Sequence, residues 1–164
     1  MKAMVVYDSV YGNTGQIGNA IGTAIGAALG SPEDVQVVKA ADARPEQLVG
    51  LSLLVVGSAT QRFSPLGATS RFLKSIRRNG LAGIKVAAFD TRFPVSEIER
   101  VRILTFFVRL FGYAAEPIAK RLQKAGGELV VPAEGFYVAA TKGPLLEGEL
   151  ERAADWARQI VAAI

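Results

Sequence analysis

Short apolar runs alternate with helically periodic segments along the whole chain. Ala3–Tyr7 is apolar throughout and predicts a strand. The following Ser9–Gly15 is small and polar, after which Ile17, Ala20, Ile21, Ala24, Ile25 and Ala28 recur on one helix face. Gly30-Ser31-Pro32 stops that helix. Val35–Val38 predicts a short second strand. Leu51–Val56 predicts a third, apolar but for Ser52, as expected of a strand buried on both sides. A loop over 57–65 leads into a helix carrying Phe72, Leu73 and Ile76, ended by Asn79-Gly80; Ile84–Phe89 is the fourth strand. Pro117 stands in the first turn of the next helix and Gly126-Gly127 closes it, with Ile118 and Leu122 on one face. Glu128–Val131 and Phe136–Ala140 predict two pieces of a fifth strand broken around Pro132. Leu146, Leu150, Ala153, Ala154, Ala157, Ile160, Val161 and Ile164 form the apolar stripe of a last helix.

Strands alternating with helices predict an α/β fold, a doubly wound five-stranded parallel sheet with helices on both faces. No internal repeat or linker divides residues 1–164, so one domain is expected. One stretch does not fit the alternation, at about 94–113. Within it Ile98, Val101, Leu104, Val108 and Phe111 share a helical face, Ile103, Phe106, Phe107 and Leu110 add apolar surface, and Arg100, Arg102 and Arg109 lie beside them. Connections in compact domains usually run about 2–6 residues, so this one has structure of its own. Residues 98–111 suit an intramolecular lid, a dimer contact or a membrane-surface contact, and the pattern is the same for all three.

Composition narrows the chemistry. The 164 residues include no Cys and no His. Disulfides, thiolate nucleophiles, iron–sulfur clusters and Cys or His metal sites are thereby excluded, as are catalytic triads built on imidazole. No metal site and no catalytic side chain are expected, and redox or transfer chemistry would need a borrowed cofactor. Nineteen Lys and Arg against fifteen Asp and Glu give a net charge of +4, which favours anionic partners. Arg71, Lys74, Arg77 and Arg78 have the spacing of a solvated helix face and no interleaved aromatics, so no nucleic-acid partner is expected. The apolar N-terminal run is too short for a secretion signal, and no run approaches the roughly 18 residues of a membrane helix. The expected location is cytoplasmic.

In open parallel sheets ligands bind beyond the carboxyl ends of the strands. Asp8-Ser9-Val10-Tyr11-Gly12-Asn13-Thr14 occupies such a place, between the first strand and the first helix. A helix start offers unpaired main-chain N–H groups and the positive end of the helix dipole. Gly12 lets the main chain approach an anion, while Ser9, Thr14 and Asn13 bring side-chain donors. This is chemistry for a phosphate held without Lys or Arg. A Walker loop is absent, since no lysine lies here. The G-x-G-x-x-G fingerprint is absent too, the glycines falling at 12, 15 and 18. The alternative is that Ser9 and Thr14 only cap the helix.

The segment S-x-Y-G-N-T resembles the phosphate loop of the flavodoxin family, S/T-x-T-G-N-T with Tyr in place of the middle Thr. Gly57-Ser58-Ala59-Thr60-Gln61-Arg62-Phe63 resembles that family's first flavin-flanking loop, and Phe89-Asp90-Thr91-Arg92-Phe93 stands in the place of the second. Gly143–Leu150 and Trp156 are similar to flavodoxin C-termini. The resemblance implies strand order 2-1-3-4-5 and non-covalent FMN. It implies that Ser9, Val10, Tyr11, Gly12, Asn13 and Thr14 hold the phosphate. Ala59, Thr60, Gln61, Arg62 and Phe63 would face the ring system or ribityl chain, and Asp90, Thr91, Arg92 and Phe93 the pyrimidine edge.

Two features depart from the family pattern. The Trp and Tyr that commonly sandwich the flavin ring are missing, leaving Phe63 and Phe93. The chain is also basic where carrier flavodoxins are acidic. Arg62 and Arg92 beside the ring would stabilise reduced, anionic flavin by about 1–4 kcal/mol, depending on the local dielectric, and make its potential less negative. The function implied is that of an FMN-binding electron carrier, with a redox protein or a quinone-like small molecule as partner, rather than an enzyme with substrate chemistry of its own. A flavodoxin-like quinone-linked oxidoreductase and a flavin-free regulatory or binding domain are the alternatives. The quinone-dependent protoporphyrinogen oxidases of bacteria, which also carry an apolar basic insertion, keep the former open.

Overall fold

A computed structural model describes residues 1–61, 64–94 and 113–164. Arg62, Phe63 and the proposed apolar helix over 98–111 lie outside the described residues. The elements are β1 (Ala3–Asp8), α1 (Asn13–Leu29), β2 (Val35–Lys39), β3 (Leu53–Gln61), β4 (Ser64–Pro65), α2 (Gly67–Ser75), β5 (Lys85–Arg92), α3 (Ala115–Lys124), β6 (Glu128–Leu129), β7 (Glu134–Tyr137) and α4 (Glu149–Ala162). The sheet runs β2-β1-β3-β5 with every pair parallel, and β6 and β7 both lie parallel to β5 at its free edge. Read as one interrupted strand, β6 and β7 complete the order 2-1-3-4-5. The break falls around Pro132, where the missing N–H cannot join the ladder. Among the strands of the described residues, β4 alone is antiparallel, a short return against the end of β3.

The apolar strand runs follow from two cores, one on each face. Ala3, Val5, Leu53, Val55, Ala87 and Phe89 point to α1 and α4, which bring Ile17, Ile21, Ile25, Trp156 and Ile160. Met4, Val6, Leu54, Val56, Val86 and Ala88 point the other way, to Phe72 and Leu73 of α2 and Ile118 and Leu122 of α3. Phe89, Phe136 and Trp156 meet edge to face with centroids 6.0–6.3 Å apart, worth about 0.5–1.5 kcal/mol per pair beyond their buried area. Close approaches at Gly22 and Gly57 require glycine. A Cβ on Gly22 would lie 2.4 Å from Val37, so α1 packs close to β2; one on Gly57 would lie 2.1 Å from the Phe89 ring.

Strand parity also sets the site. Continuing the alternation along β5, Thr91 turns toward α1, while Asp90 and Arg92 turn toward α3.

Four of the boundaries that differ from the sequence reading bear on the site or its packing. β3 continues past Val56 to Gln61 and β5 past Phe89 to Arg92, because Ser58 and Ala59 still pair with Asp90 and Thr91. The small polar residues read as loop are thus strand. α2 ends at Ser75, ahead of Asn79-Gly80. The last helix starts at Glu149, so Leu146 precedes it, and Leu146 and Leu150 are exposed. Its buried face is Ala153, Trp156, Ala157 and Ile160, with the Glu149 carboxylate turned inward to accept the N–H of Tyr137 at 2.7 Å and a guanidinium N–H of Arg152. Among the described residues no helix is long and apolar enough to cross a membrane.

Candidate functional site

The sheet reverses direction of growth between β1 and β3, and α1 opens above that point. Gly12 precedes the helix with φ +92°, a left-handed conformation that side chains resist. Space around it is open, since an added Cβ would touch nothing; the glycine is there for its backbone angle. No side chain caps α1 and no acid stands in its first turn. The first helical bond runs from the Gln16 N–H to the Gly12 carbonyl, which leaves the N–H groups of Asn13, Thr14 and Gly15 ahead of the ladder. About half a positive elementary charge gathers at such an end. Here nothing in the first turn opposes it.

Capping by Ser9 and Thr14 is not what the structure shows. The Ser9 hydroxyl oxygen accepts the N–H of Gly12, outside the helix proper, at 2.9 Å. The buried Thr14 hydroxyl lies 2.7 Å from the Thr91 hydroxyl. A hydroxyl has one proton to give and two lone pairs. Ser9, already accepting, keeps its proton for a ligand, and Thr14 keeps its own when Thr91 donates.

Asn13 does a different job. Its side-chain amide donates to the Lys142 carbonyl at 3.2 Å. Gly143, at φ +104°, lies so close that a Cβ there would sit 2.6 Å from the Asn13 amide oxygen. Asn13 therefore fastens the closing loop against the helix start. Val10 and Tyr11 form the loop's exposed crest. The Asp8 carboxylate points to the other face and accepts the N–H of Thr69 in the first turn of α2, at 3.2 Å. The one acid of the loop motif is thus turned away from α1.

The opposite wall consists of the ends of β3 and β5. Ala59 pairs with Thr91, and Gln61 is exposed at the hairpin with Ser64. The Thr60 hydroxyl accepts the N–H of Ala114 at 3.1 Å. Phe93 is exposed at the end of β5.

Asp90 and Arg92 do not stand at the rim as the sequence reading placed them. Asp90 is fully buried and its carboxylate accepts a two-pronged bond from Arg92, at 2.5 and 2.8 Å, and the N–H of Ala115 at 2.8 Å. The Arg92 guanidinium is stacked 3.9 Å from the centre of the Tyr113 ring. It also occupies the space a Cβ on Gly135 would need. Burial pushes the Asp90 carboxyl above its ordinary pKa, against the pull of Arg92 and the Ala115 N–H. Burial likewise raises the Tyr113 phenol. Arg92's charge is therefore largely spent on Asp90, so a pyrimidine edge beside it would meet a paired guanidinium. Tyr113 was missed in the sequence because nothing in its neighbourhood signals a partner on β5. A hint existed in Pro117, whose helix start needs an acceptor for its first N–H groups.

No protein-family model matches the chain, and no curated protein matches its sequence. Solved structures do match. A flavodoxin from the domain Archaea is 24% identical with a TM-score of 0.74, covering 99% of this chain and 97% of that one. Flavodoxin 1 from Bacillus cereus is 16% identical with a TM-score of 0.76, covering 100% and 99%. The rubredoxin oxygen:oxidoreductase of Desulfovibrio gigas is 17% identical with a TM-score of 0.72; the match spans 99% of this chain but 35% of that one.

Proposed function

From a flavodoxin-like fold whose first helix opens bare at the sheet's switch point, we propose that this chain binds FMN and carries electrons between redox partners. The observation that carries the reading is the start of α1, without a cap or an acid, behind a left-handed glycine in open space. A phosphate dianion fits this donor set. The N–H groups of Asn13, Thr14 and Gly15 and the hydroxyls of Ser9 and Thr14 would hold it, as in other anion sites at helix starts. Charge-assisted bonds of this kind are worth about 1.5–3 kcal/mol each, so the phosphate supplies much of the affinity.

Bound FMN supplies one- and two-electron chemistry. The chain's own task is to hold and orient it. Main-chain groups of Val10 and Tyr11 would line the ribityl side, and those of Ala59, Thr60, Gln61 and Thr91 the ring, with Phe93 in reach of a ring face. The closing loop, fastened by Asn13, limits water at the phosphate. Since Arg92 is paired with Asp90, it would perturb the flavin potential less than an unpaired arginine in the same place. The acid-free helix end adds a positive element at the phosphate.

The test is direct. Protein reconstituted with FMN should show visible flavin absorption at one equivalent. After chemical reduction it should discharge to a one-electron protein acceptor in a single turnover. A protein that takes up no FMN would end the proposal. Much faster discharge to a soluble quinone than to protein acceptors would shift it to a quinone-linked oxidoreductase.

A further inference from the structure

We propose that the cleft between the C-terminal ends of α2 and α3 is a second anion site, built for a compact ligand carrying several phosphates. It lies at the opposite edge of the sheet from the start of α1, since both helices run back from the carboxyl ends of the strands that precede them. Lys74, Arg77 and Arg78 line it from the end of α2, and Arg121 and Lys124 from the end of α3. Leu73, Ile76 and Ala125 form its buried floor. The cleft encloses about 420 Å³, within the usual range for small-molecule sites.

The shape is fixed in advance. The N–H of Leu81 donates to the Ala125 carbonyl at 2.9 Å, and Gly126 packs so closely on Asn79 that a Cβ would lie 3.1 Å from its Cα. This main-chain bond and close contact tie the turn after α2 to the end of α3 and hold the two basic sets side by side.

Five cations converge here, and no carboxylate lines the cleft among the described residues. Two helix C-termini offset part of this charge, about half an elementary charge each. Roughly four positive charges stay uncompensated among the described residues. Those five residues also account for the chain's basicity, because without them 14 cationic side chains would face 15 acidic ones. A solvated basic face would be spread along one helix. This one is assembled from two elements, and Arg71, on the α2 face the sequence singled out, does not line it.

The ligand class follows from charge and donor geometry. Three guanidinium groups favour two-pronged bonds to phosphate oxygens. A single phosphate or carboxylate would leave most of the charge unmatched, whereas two or three linked phosphates would meet it. Such a group can come from a soluble polyphosphate compound or from a phosphorylated lipid headgroup.

Calorimetric titration of the full-length protein, saturated with FMN, with inorganic tripolyphosphate decides the matter. The expected result is one site, filled at least tenfold more tightly than by inorganic phosphate. Arg77→Gln combined with Arg121→Gln should weaken it at least tenfold without changing the melting temperature, both residues being exposed. The matching pair of Arg→Lys changes should keep most of the binding. Sedimentation with vesicles containing phosphatidylinositol bisphosphate, competed by tripolyphosphate and lost in the Gln variant, would identify a lipid headgroup as the source; tripolyphosphate binding without sedimentation would identify a soluble one. Tripolyphosphate binding no tighter than phosphate, or equal in the Gln variant, would overturn the proposal. So would a single-stranded oligonucleotide that outcompetes tripolyphosphate.

Discussion

Asp90→Ala should destabilise the protein by about 3–5 kcal/mol at neutral pH, the usual cost of removing one partner of a buried ion pair. At about 2–4 °C per kcal/mol for a chain of this size, the melting temperature should fall by roughly 10 °C. The reason is geometric. Arg92 is wedged between Tyr113 and Gly135 with 16% of its side chain exposed, so its charge has little water to turn to. The Ala115 N–H loses its acceptor at the same time. Replacing both partners, as Asp90→Val with Arg92→Leu, should recover a good part of the loss, because an apolar pair has no charge left to desolvate. The recovery stays incomplete while the Ala115 N–H lacks an acceptor. Thermal melts of the three proteins check this. A single variant that melts with the wild type would mean that Asp90 and Arg92 contribute no net stability.

Ser9→Asp should move stability and ligand affinity in opposite directions. A carboxylate at position 9 can still accept the Gly12 N–H, and it places a negative charge at the positive end of α1. Stability should hold or rise by about 0.3–1 kcal/mol from the interaction with the helix dipole. FMN affinity should fall about 100-fold or more, since one donor to the phosphate is lost and a like charge faces it; 100-fold corresponds to about 2.7 kcal/mol. Melting curves and flavin titrations on the same preparation read both effects. Loss of affinity together with loss of stability would indicate damage to the loop rather than repulsion.

Much of the fold is legible in the chain because two-sided burial leaves an unmistakable trace. Leu53–Val56 and Val86–Phe89 are apolar at every position, and only a strand between two helical layers asks for that. Their continuations were not legible. Ser58, Asp90 and Arg92 have loop-like composition, yet they extend strands, because their backbones pair with neighbours distant in sequence, while Thr60 pairs with Pro65 of the short return. Leu146 and Leu150 matched the spacing of the last helix by coincidence. The better signal was Gly148, left-handed at φ +83°, followed by Glu149 and Glu151 in a first turn.

The candidate site divides in the same way. Ser9–Thr14 is local, a glycine and small polar residues at a helix start, and it could be found without knowing any partner. The pair between Asp90 and Arg92 was half visible, since residues two apart share one face of a strand once the strand is known to reach them. Tyr113 and the cleft between α2 and α3 join residues far apart in sequence, which no local pattern reveals. Arg121 and Lys124 stand at a helix end, and only the turn after α2, joined there through the Leu81 N–H, makes them one wall of a cleft.

The central claim is that the start of α1 grips the phosphate of a flavin. Fluorescence titration of the flavin-free protein with FMN and with riboflavin, which differ only in that group, measures it most directly. FMN should bind at least about 100-fold more tightly, the difference expected from two charge-assisted hydrogen bonds at the low end of their range. Equal affinity for the two flavins would contradict the account.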